Sequence, residues 1–310
     1  MRAIKSTIPA EEIARVKGLG FLRDKTTPDC FNARVITGNG KISAEKMDAI
    51  SEAAKRFGNG EIAMTTRLTV EIQKIPYKNI DALISYLKEN GLETGGTGAK
   101  VRPVVSCKGT TCTFGLIDTY ALSQEIHEKF YNGYHNVKLP HKFKIAVGGC
   151  PNNCVKPDLN DFGIIGQRIH HIDYDKCRGC KICQVEKACP LKIVKVSDGK
   201  VKVNEDSCNN CGRCIGTCPF GAFEGYADGY RICIGGRWGK KTAKAQYLSK
   251  IFTDKDEVIN TIEKAILLFR EKGEPGERFS GTIARIGFDT AENILLSDDI
   301  ITRKDIILGN

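Results

Sequence analysis

Long apolar runs are missing from this 310-residue chain, and residues 1–20 hold no stretch of the kind that a signal peptide requires. No segment approaches the roughly 18 consecutive apolar residues needed to span a bilayer. We therefore expect no membrane span and a cytoplasmic location. Blocks rich in Lys and Arg are missing too, although the formal net charge is +10. Because the basic residues are scattered, nucleic acid is disfavoured, and an anionic ligand or membrane surface remains as their partner.

Cysteine, in contrast, is abundant, with 14 residues. A reducing cytosol would not maintain disulfides, so this number indicates metal ligation. All but two of the cysteines fall into spaced groups. Cys30 and Cys233 belong to no group and are interpreted as buried thiols.

The strongest pattern is an internal repeat at residues 177–219, whose two runs are offset by 31 residues. Each run has three closely spaced cysteines followed by a Cys-Pro pair, as in bacterial ferredoxins. In those proteins the fourth cysteine of each run ligates the other cluster. The first run has five residues before its last cysteine where three are usual, which predicts a bulged loop. We assign one 4Fe-4S centre to Cys177, Cys180, Cys183 and Cys218, and a second to Cys208, Cys211, Cys214 and Cys189. A hairpin around Asp198-Gly199 is expected between the runs.

Two further cysteine pairs lie at turns. Cys107 and Cys112 follow the strand-like residues 101–105, and Cys150 and Cys154 lie in a Gly-Gly-Cys turn. Four thiolates in two pairs suit either zinc or a 4Fe-4S cluster, and the spacing alone leaves both open.

The segment before the second pair alternates Lys142 and Lys144 with apolar residues, which is the period of a strand. Both ammonium groups should therefore point the same way. A solvated strand face is the other interpretation of this pattern.

The first 90 residues predict a compact βαβα unit. Residues 30–36 read as a strand that carries Arg34, and a helix capped by Ser43 ends at Gly58. A second strand should begin at Arg67. A second helix closes at Gly91, and the glycines at 95–98 should form a flexible joint.

With these motifs in place, the chain resembles the sirohaem-dependent sulfite and nitrite reductase family. It is most similar to the short, ferredoxin-containing branch, which includes a subunit of the anaerobic sulfite reductase and dissimilatory-type relatives. The resemblance covers nearly the whole chain. It depends on Arg34, TTRLTVEI at 65–72, LPHKFKIAVGGCPNNC at 139–154, NDFGIIG at 160–166 and GGRWG at 235–239, together with the cysteine groups. One departure is that Cys107 and Cys112 are separated by four residues, where larger members usually have five.

The resemblance implies an α+β fold: the sirohaem sulfite/nitrite reductase fold with an inserted bacterial two-cluster ferredoxin domain. Residues 1–92 would form the N-terminal ferredoxin-like βαβ domain. Residues 93–168 and 225–310 would form an interrupted domain that binds sirohaem and a 4Fe-4S cluster. Residues 169–224 would form the insert.

The resemblance also implies site roles. Cys107, Cys112, Cys150 and Cys154 would hold a third 4Fe-4S cluster, which Cys154 bridges to sirohaem iron. The anion site would be lined by Arg34, Arg67, Lys142 and Lys144. Arg102 and Arg237 are candidates to pair with the carboxylates of sirohaem.

The expected activity is the six-electron reduction of sulfite to sulfide. The electrons would pass through the ferredoxin clusters from a flavoprotein subunit or a ferredoxin. Reduction of nitrite to ammonia is one alternative, and a non-catalytic protein that transfers electrons or binds sirohaem is another. Because large family members contain two reductase modules and one is found here, a homo- or hetero-oligomer is expected.

Overall fold

The computed structural model of this protein describes residues 6–309, and these divide into two units. The first unit runs to Ser106 and also contains Ala121–Ala146 and the residues from Glu263 onward. The second unit contains Cys107–Tyr120 and Val147–Ile262. Helices and strands are mixed throughout, so the predicted α+β class is confirmed. The three domains proposed from the sequence have other boundaries and stay a prediction.

The first unit begins with a four-stranded antiparallel sheet in the order β1-β2-β4-β3. Two helices pack on it through buried faces that include Ile50 and Leu83. The elements in chain order are α1 (Ala10–Gly18), β1 (Phe21–Arg23), β2 (Cys30–Val35), α2 (Ala44–Phe57), β3 (Ile62–Met64), β4 (Val70–Pro76) and α3 (Ile80–Glu89).

The local sequence explains these elements. In β2, Phe31, Ala33 and Val35 are buried while the residues between them are half-buried, so Arg34 lies on the polar face. The Ser43 hydroxyl accepts a hydrogen bond from the Lys46 amide and caps α2. The strand, the capped helix and the second helix predicted here are therefore all confirmed.

The predicted start of the second strand at Arg67 is wrong. The strand begins at Val70, because Thr65 to Leu68 form a turn in which the Leu68 amide donates to the Thr65 carbonyl at 3.1 Å. Leu68 has a φ of 59°, which a strand does not allow. Helix α1 and the short strands β1 and β3 were not predicted. Three-residue strands are too short for their period to be read.

A five-stranded sheet in the order β11-β10-β7-β6-β5 lies mostly in the second unit. The remaining elements are β5 (Val105–Ser106), α4 (Thr119–Ile126), β6 (Ile145–Gly148), β7 (Phe162–His170), α5 (Gln184–Ala188), β8 (Val194–Ser197), β9 (Lys200–Val203), β10 (Tyr226–Ile234), β11 (Gln246–Phe252), α6 (Lys255–Lys272), α7 (Phe279–Ile286), α8 (Phe288–Leu296), α9 (Asp299–Thr302) and α10 (Lys304–Leu308). A π-helical turn, His127–Asn132, continues α4.

The segment that contains the cysteine repeat connects two neighbouring strands of this sheet, β7 and β10. Strands β7 and β10 pair antiparallel from Phe162 opposite Ile234 to His170 opposite Tyr226. Residues 171–225 therefore form an excursion whose two ends are neighbours. It has its own small core around Val185, Val194 and Phe223.

Within the excursion, β8 and β9 form the predicted hairpin. Asp198 and Gly199 both have positive φ at its turn, as a two-residue hairpin loop requires. In the first unit, the buried rings of Phe143, Phe269 and Phe279 contact one another with centroids 5.2–6.0 Å apart. Within residues 6–309, none of the helices has both the length and the apolar character that a bilayer crossing demands.

Candidate functional site

One cavity of the first unit, with about 170 Å³ of space, is lined mainly by basic side chains. It brings together the four cations that the family resemblance assigned to the anion site and one of the two arginines assigned to sirohaem. Its lining residues are Arg34, Arg67, Arg102, Lys142, Lys144, Thr69, Gly96 and Pro103. Five cations around one small space make it suited to an anion with several oxygens.

Arg34 is held from two sides. Glu71 lies opposite it in the β2–β4 register, and its Oε1 accepts from Arg34 Nη2 at 2.6 Å and from Nε at 3.1 Å. Nη1 donates to the Gly96 carbonyl at 3.3 Å. A guanidinium fixed in this way presents its charge in one direction and loses little entropy when it binds an oxyanion.

Arg67 and Arg102 are held by backbone carbonyls. Arg67 projects from the turn before β4, and its Nη2 donates to the Pro103 carbonyl at 2.7 Å. Arg102 Nη1 donates to Gly96 and Nη2 to Gly98, the latter at 2.8 Å. Neither arginine is neutralised by these contacts, because a carbonyl carries only a partial charge.

Lys142 and Lys144 lie just before β6, which begins at Ile145. The segment is nevertheless extended: Phe143 forms a parallel bridge with Val101, and its carbonyl accepts from the Arg102 amide at 2.8 Å. Phe143 is buried, whereas the lysine on each side of it is half-buried. Both lysines line the cavity, as the predicted alternation requires.

Sequence reasoning missed the loop that connects these cations. Gly95 and Gly96 are buried, so this stretch is a packed loop where a flexible joint was expected. The Gly96 amide donates to the hydroxyl of Tyr131 at 3.0 Å, and its carbonyl accepts from Arg34 and Arg102. Burial raises the pKa of Tyr131 to about 12, so its hydroxyl stays protonated. The glycine-rich sequence could have indicated a closely packed loop. Nothing in the sequence around Tyr131, on the π-helical turn, indicates that its hydroxyl contacts this loop.

The two cysteine pairs of the second unit come together. Burial raises the pKa of the Cys150 thiol, and charge repulsion from Cys107, Cys154 and Cys112 raises it further. All four sulfurs are therefore close enough to interact. None of them is in a disulfide, Cys154 is exposed, and the other three are half-buried.

The backbone around these thiols fits a bulky inorganic centre. The Gly149 amide donates to Cys107 Sγ at 3.1 Å, the kind of bond that stabilises cluster sulfurs. A Cβ on Gly149 would lie 2.8 Å from Gly109 Cα and 3.4 Å from Cys107 Sγ. Four thiols, an amide aimed at sulfur and a crowded glycine cradle fit a 4Fe-4S cluster.

Four thiols of the repeat lie close to one another. Burial raises the pKa of Cys214 to about 11, and the thiolates of Cys208, Cys211 and Cys189 add charge repulsion. The fourth cysteine of the first run thus lies beside the second run, as the crossed ferredoxin assignment expects. Cys177, Cys183 and Cys218 pack against the small core of the excursion, as Cys189 and Cys214 also do, and Cys180 is half-buried. The grouping of Cys177, Cys180, Cys183 and Cys218 stays a prediction.

Three other predicted residues lie elsewhere. Arg237 belongs to the second unit and is not among the lining residues of the cation cavity; its amide donates to the Ala243 carbonyl at 2.8 Å. Cys233 is fully buried, and burial raises its pKa to about 12. Cys30 is half-buried.

Two family matches cover most of the chain. Residues 97–297 match the family described as the nitrite and sulphite reductase 4Fe-4S domain. Residues 23–90 match the nitrite/sulfite reductase ferredoxin-like half domain. The chain belongs to the nitrite and sulphite reductase family. The family predicted from the motifs is thereby confirmed, and the longer match describes a 4Fe-4S domain.

Individual relatives agree with this family. The chain is 30% identical to the coenzyme F420-dependent sulfite reductase of Methanocaldococcus jannaschii over 88% of its own length, and it spans 42% of that protein. It is 30% identical to a subunit of the anaerobic sulfite reductase of Salmonella typhimurium, covering 72% of this chain and 69% of that one. The crystal structure of dissimilatory sulfite reductase I superimposes with a TM-score of 0.68 at 21% identity, covering 86% of this chain and 69% of that one. This last likeness shows the shared fold.

Proposed function

We propose that this chain is a sirohaem-iron-sulfur reductase that converts sulfite to sulfide. The observation that carries the proposal is the cavity in which Arg34, Arg67, Arg102, Lys142 and Lys144 converge. Sulfite is a small trigonal oxyanion, and its reduction consumes six electrons and six protons while three oxygens leave as water. A site for this reaction must attract the anion, fix its oxygens and deliver protons.

The residues of the cavity suit these tasks in different ways. Arg34, clamped by Glu71, and Arg67, held by Pro103, offer oriented donors to two substrate oxygens. Lys142 and Lys144 carry compact ammonium groups that can pass protons to a departing oxygen, directly or through water. Arg102 adds positive charge to the same cavity. We propose that Arg102 also pairs with a carboxylate of sirohaem, and that Arg237 of the second unit pairs with another.

Sirohaem coupled to a 4Fe-4S cluster would supply the electrons to the bound anion. Cys107, Cys112, Cys150 and Cys154 would hold that cluster, and Cys154, the exposed member, would bridge it to sirohaem. Thiolate ligation and the amide directed at Cys107 Sγ would tune its potential.

We further propose that residues 169–224 form an inserted ferredoxin domain with two 4Fe-4S clusters, giving three clusters in all. The paired positions at which the excursion leaves and rejoins β7 and β10 support an insertion. Residues 1–92 would then be the N-terminal domain, and 93–168 with 225–310 the interrupted domain that binds sirohaem. We also propose that a redox donor protein supplies the electrons and that the chain works as part of a homo- or hetero-oligomer.

Nitrite is the second candidate substrate, because the matched family covers both reductases. The test is steady-state reduction of each anion by the anaerobically purified protein with a reduced viologen dye, with sulfide and ammonium quantified. Sulfide formed at the higher kcat/KM supports the proposal. Ammonium formed at the higher kcat/KM makes the protein a nitrite reductase. Iron-sulfur absorbance without turnover of either anion makes it an electron carrier.

A further inference from the structure

The two thiol groups of the cysteine repeat have different surroundings. We propose that electrons enter at the group of Cys177, Cys180, Cys183 and Cys218, where an acidic one-electron carrier protein docks. We also propose that they leave through the group of Cys189, Cys208, Cys211 and Cys214 toward Cys150. The inference rests on the proposed function in that both groups hold 4Fe-4S clusters.

The second group shares a cavity with Cys150, one of the four thiols proposed to hold the cluster coupled to sirohaem. Cys211 and Cys150 both line one cavity of the second unit, together with Phe114, Arg168 and Arg213. Cys211, a proposed ligand of the second repeat cluster, and Cys150, a proposed ligand of the cluster coupled to sirohaem, thus line the same cavity. Electron transfer between two centres falls steeply with their separation, so this shared wall favours the second group as the way out of the repeat.

The loop that carries Cys211 is fixed in this position. The Arg168 amide, on β7, donates to the Asn210 carbonyl at 2.8 Å, and Arg168 forms a parallel bridge with Cys211. The Arg213 guanidinium lies 5.2 Å from the ring centre of Phe114. These contacts tie the second group to the strand and to the segment that follows Cys112.

The first group is bordered by exposed apolar side chains. Ile182, between Cys180 and Cys183, is 65% exposed; Phe220, two residues after Cys218, is 47% exposed; and Tyr174 is 49% exposed. The Arg178 guanidinium lies 5.9 Å from the ring centre of Phe220, so the two loops are adjacent. We call Tyr174, Arg178, Lys181, Ile182 and Phe220 the docking patch. Exposed apolar side chains grouped beside a redox centre mark a surface that a partner covers.

Charge identifies the kind of partner. Arg178 and Lys181 are exposed within the docking patch, and Lys187 is exposed on α5 nearby. The chain as a whole carries a net charge of +10. Cations around an apolar centre attract an acidic protein and speed its encounter. An acidic one-electron carrier such as a flavodoxin fits this surface in charge and in chemistry.

One electron would move in each transfer. A flavodoxin hydroquinone anion that gives one electron to the 4Fe-4S cluster held by the first group would become the neutral semiquinone, with no proton moved. The cluster of the first group would be reoxidised as this electron passes to the cluster held by the second group. That cluster would in turn pass the electron to the one that Cys150 would help to hold.

The docking patch is tested with the holoprotein and a pre-reduced acidic flavodoxin, whose semiquinone absorbance is followed by stopped flow. Ile182→Glu should lower the second-order rate constant about tenfold, because it places a carboxylate against an acidic partner. The matched control is Ile306→Glu. Ile306 is 80% exposed on α10 and lies outside the cysteine repeat. It should change the rate constant less than about twofold. Equal effects, or a larger effect for Ile306→Glu, would overturn the docking assignment.

The order of the groups is tested by breaking each one, with iron content and the EPR signals of the remaining clusters confirming a folded protein. In Cys214→Ala, flavodoxin should still deliver a burst of about one electron, but sulfite turnover from flavodoxin should stop. In Cys180→Ser, the burst itself should vanish. A burst lost in Cys214→Ala and kept in Cys180→Ser would reverse the order and overturn the inference.

These outcomes are separable from those of the proposed function. A protein that accepts flavodoxin electrons in the stated order but reduces neither sulfite nor nitrite refutes the function and leaves the order standing. A protein that reduces sulfite from a small dye but shows the reversed burst pattern refutes the order alone.

Discussion

Lys142 and Lys144 are the residues on which the proposed proton delivery depends. Both line the cation cavity from an extended segment in which the buried Phe143 separates them. Methionine preserves the length of lysine and its packing against the strand but removes the charge and the donated protons.

We expect the double variant Lys142→Met, Lys144→Met to lose about 10²- to 10³-fold in sulfite turnover, the range for removing a well-placed donor. Dye-driven kinetics and pyridine-extracted sirohaem measure turnover and cofactor content, and the content should stay near normal. Lys138→Met, an exposed lysine of the same unit that is not among the lining residues of this cavity, is the control. Normal six-electron reduction by the double variant would mean that these lysines form only a solvated face.

Cys154 differs from the other three thiols of its group in being exposed. Serine at this position should release or uncouple sirohaem, because a hydroxyl is a poor bridge between two iron centres. The absorption spectrum and the EPR of the anaerobically purified protein measure this loss. Cys30→Ser, which changes a half-buried thiol outside every group, should keep the native spectrum. A native spectrum in Cys154→Ser would remove Cys154 from the bridging position.

At the scale of elements, the cation cavity depends on a hydrogen bond between the π-helical turn and the loop that contains Gly96. The π-helical turn places the Tyr131 hydroxyl so that it accepts from the Gly96 amide, and the Gly96 carbonyl receives Arg34 and Arg102. π-helical turns are rare in proteins and lie frequently at functional sites.

Tyr131→Phe should therefore loosen the glycine loop without touching the substrate. Loss of one hydrogen bond, worth about 1 kcal/mol, should raise KM for sulfite roughly fivefold while kcat changes less. Steady-state kinetics with a reduced dye separate the two constants. Tyr86→Phe, on α3, is the matched control. An unchanged KM would show that Tyr131 has a purely structural role.

The same contact shows where sequence reasoning stops. The spacing of the cysteines and the alternation around Phe143 are local, so the sequence alone was enough to predict that Cys189 lies beside the second run and that both lysines face one cavity. The turn at Leu68 was missed because a non-glycine residue with positive φ leaves no mark in a hydrophobic pattern. The role of Gly96 was missed because it depends on Tyr131, which lies 35 residues away in the chain.

At the scale of the whole molecule, His127 links folding to pH. It is buried against Tyr131, with ring centres 4.5 Å apart, and burial lowers its pKa from 6.5 to about 4. Within the described residues, its Nδ1 has no hydrogen-bond partner. Between these two pKa values the unfolded chain binds more protons than the folded one, so the free energy of unfolding falls as the pH falls.

We expect His127 to cost about 1.3 kcal/mol of unfolding free energy between about pH 7.5 and about pH 5.5. His127→Phe keeps a buried ring against Tyr131 and cannot titrate, so its stability should decline less over the same interval. Urea unfolding of both proteins at the two pH values measures the difference, in which contributions from other groups cancel. Parallel pH dependences would mean that His127 has the same pKa in the folded protein and in the unfolded chain.

The discontinuity of the first unit has a consequence for biosynthesis. The second unit is complete at Ile262, whereas the first still lacks everything from Glu263 onward. At roughly 5 to 20 residues per second, a ribosome needs several more seconds to supply residues 263–309. During this interval every predicted cluster ligand has already been translated, while the unit that holds the cation cavity is unfinished. The cell therefore has a short period, set by the speed of translation, in which iron and sulfur can be loaded before α7 to α10 are added.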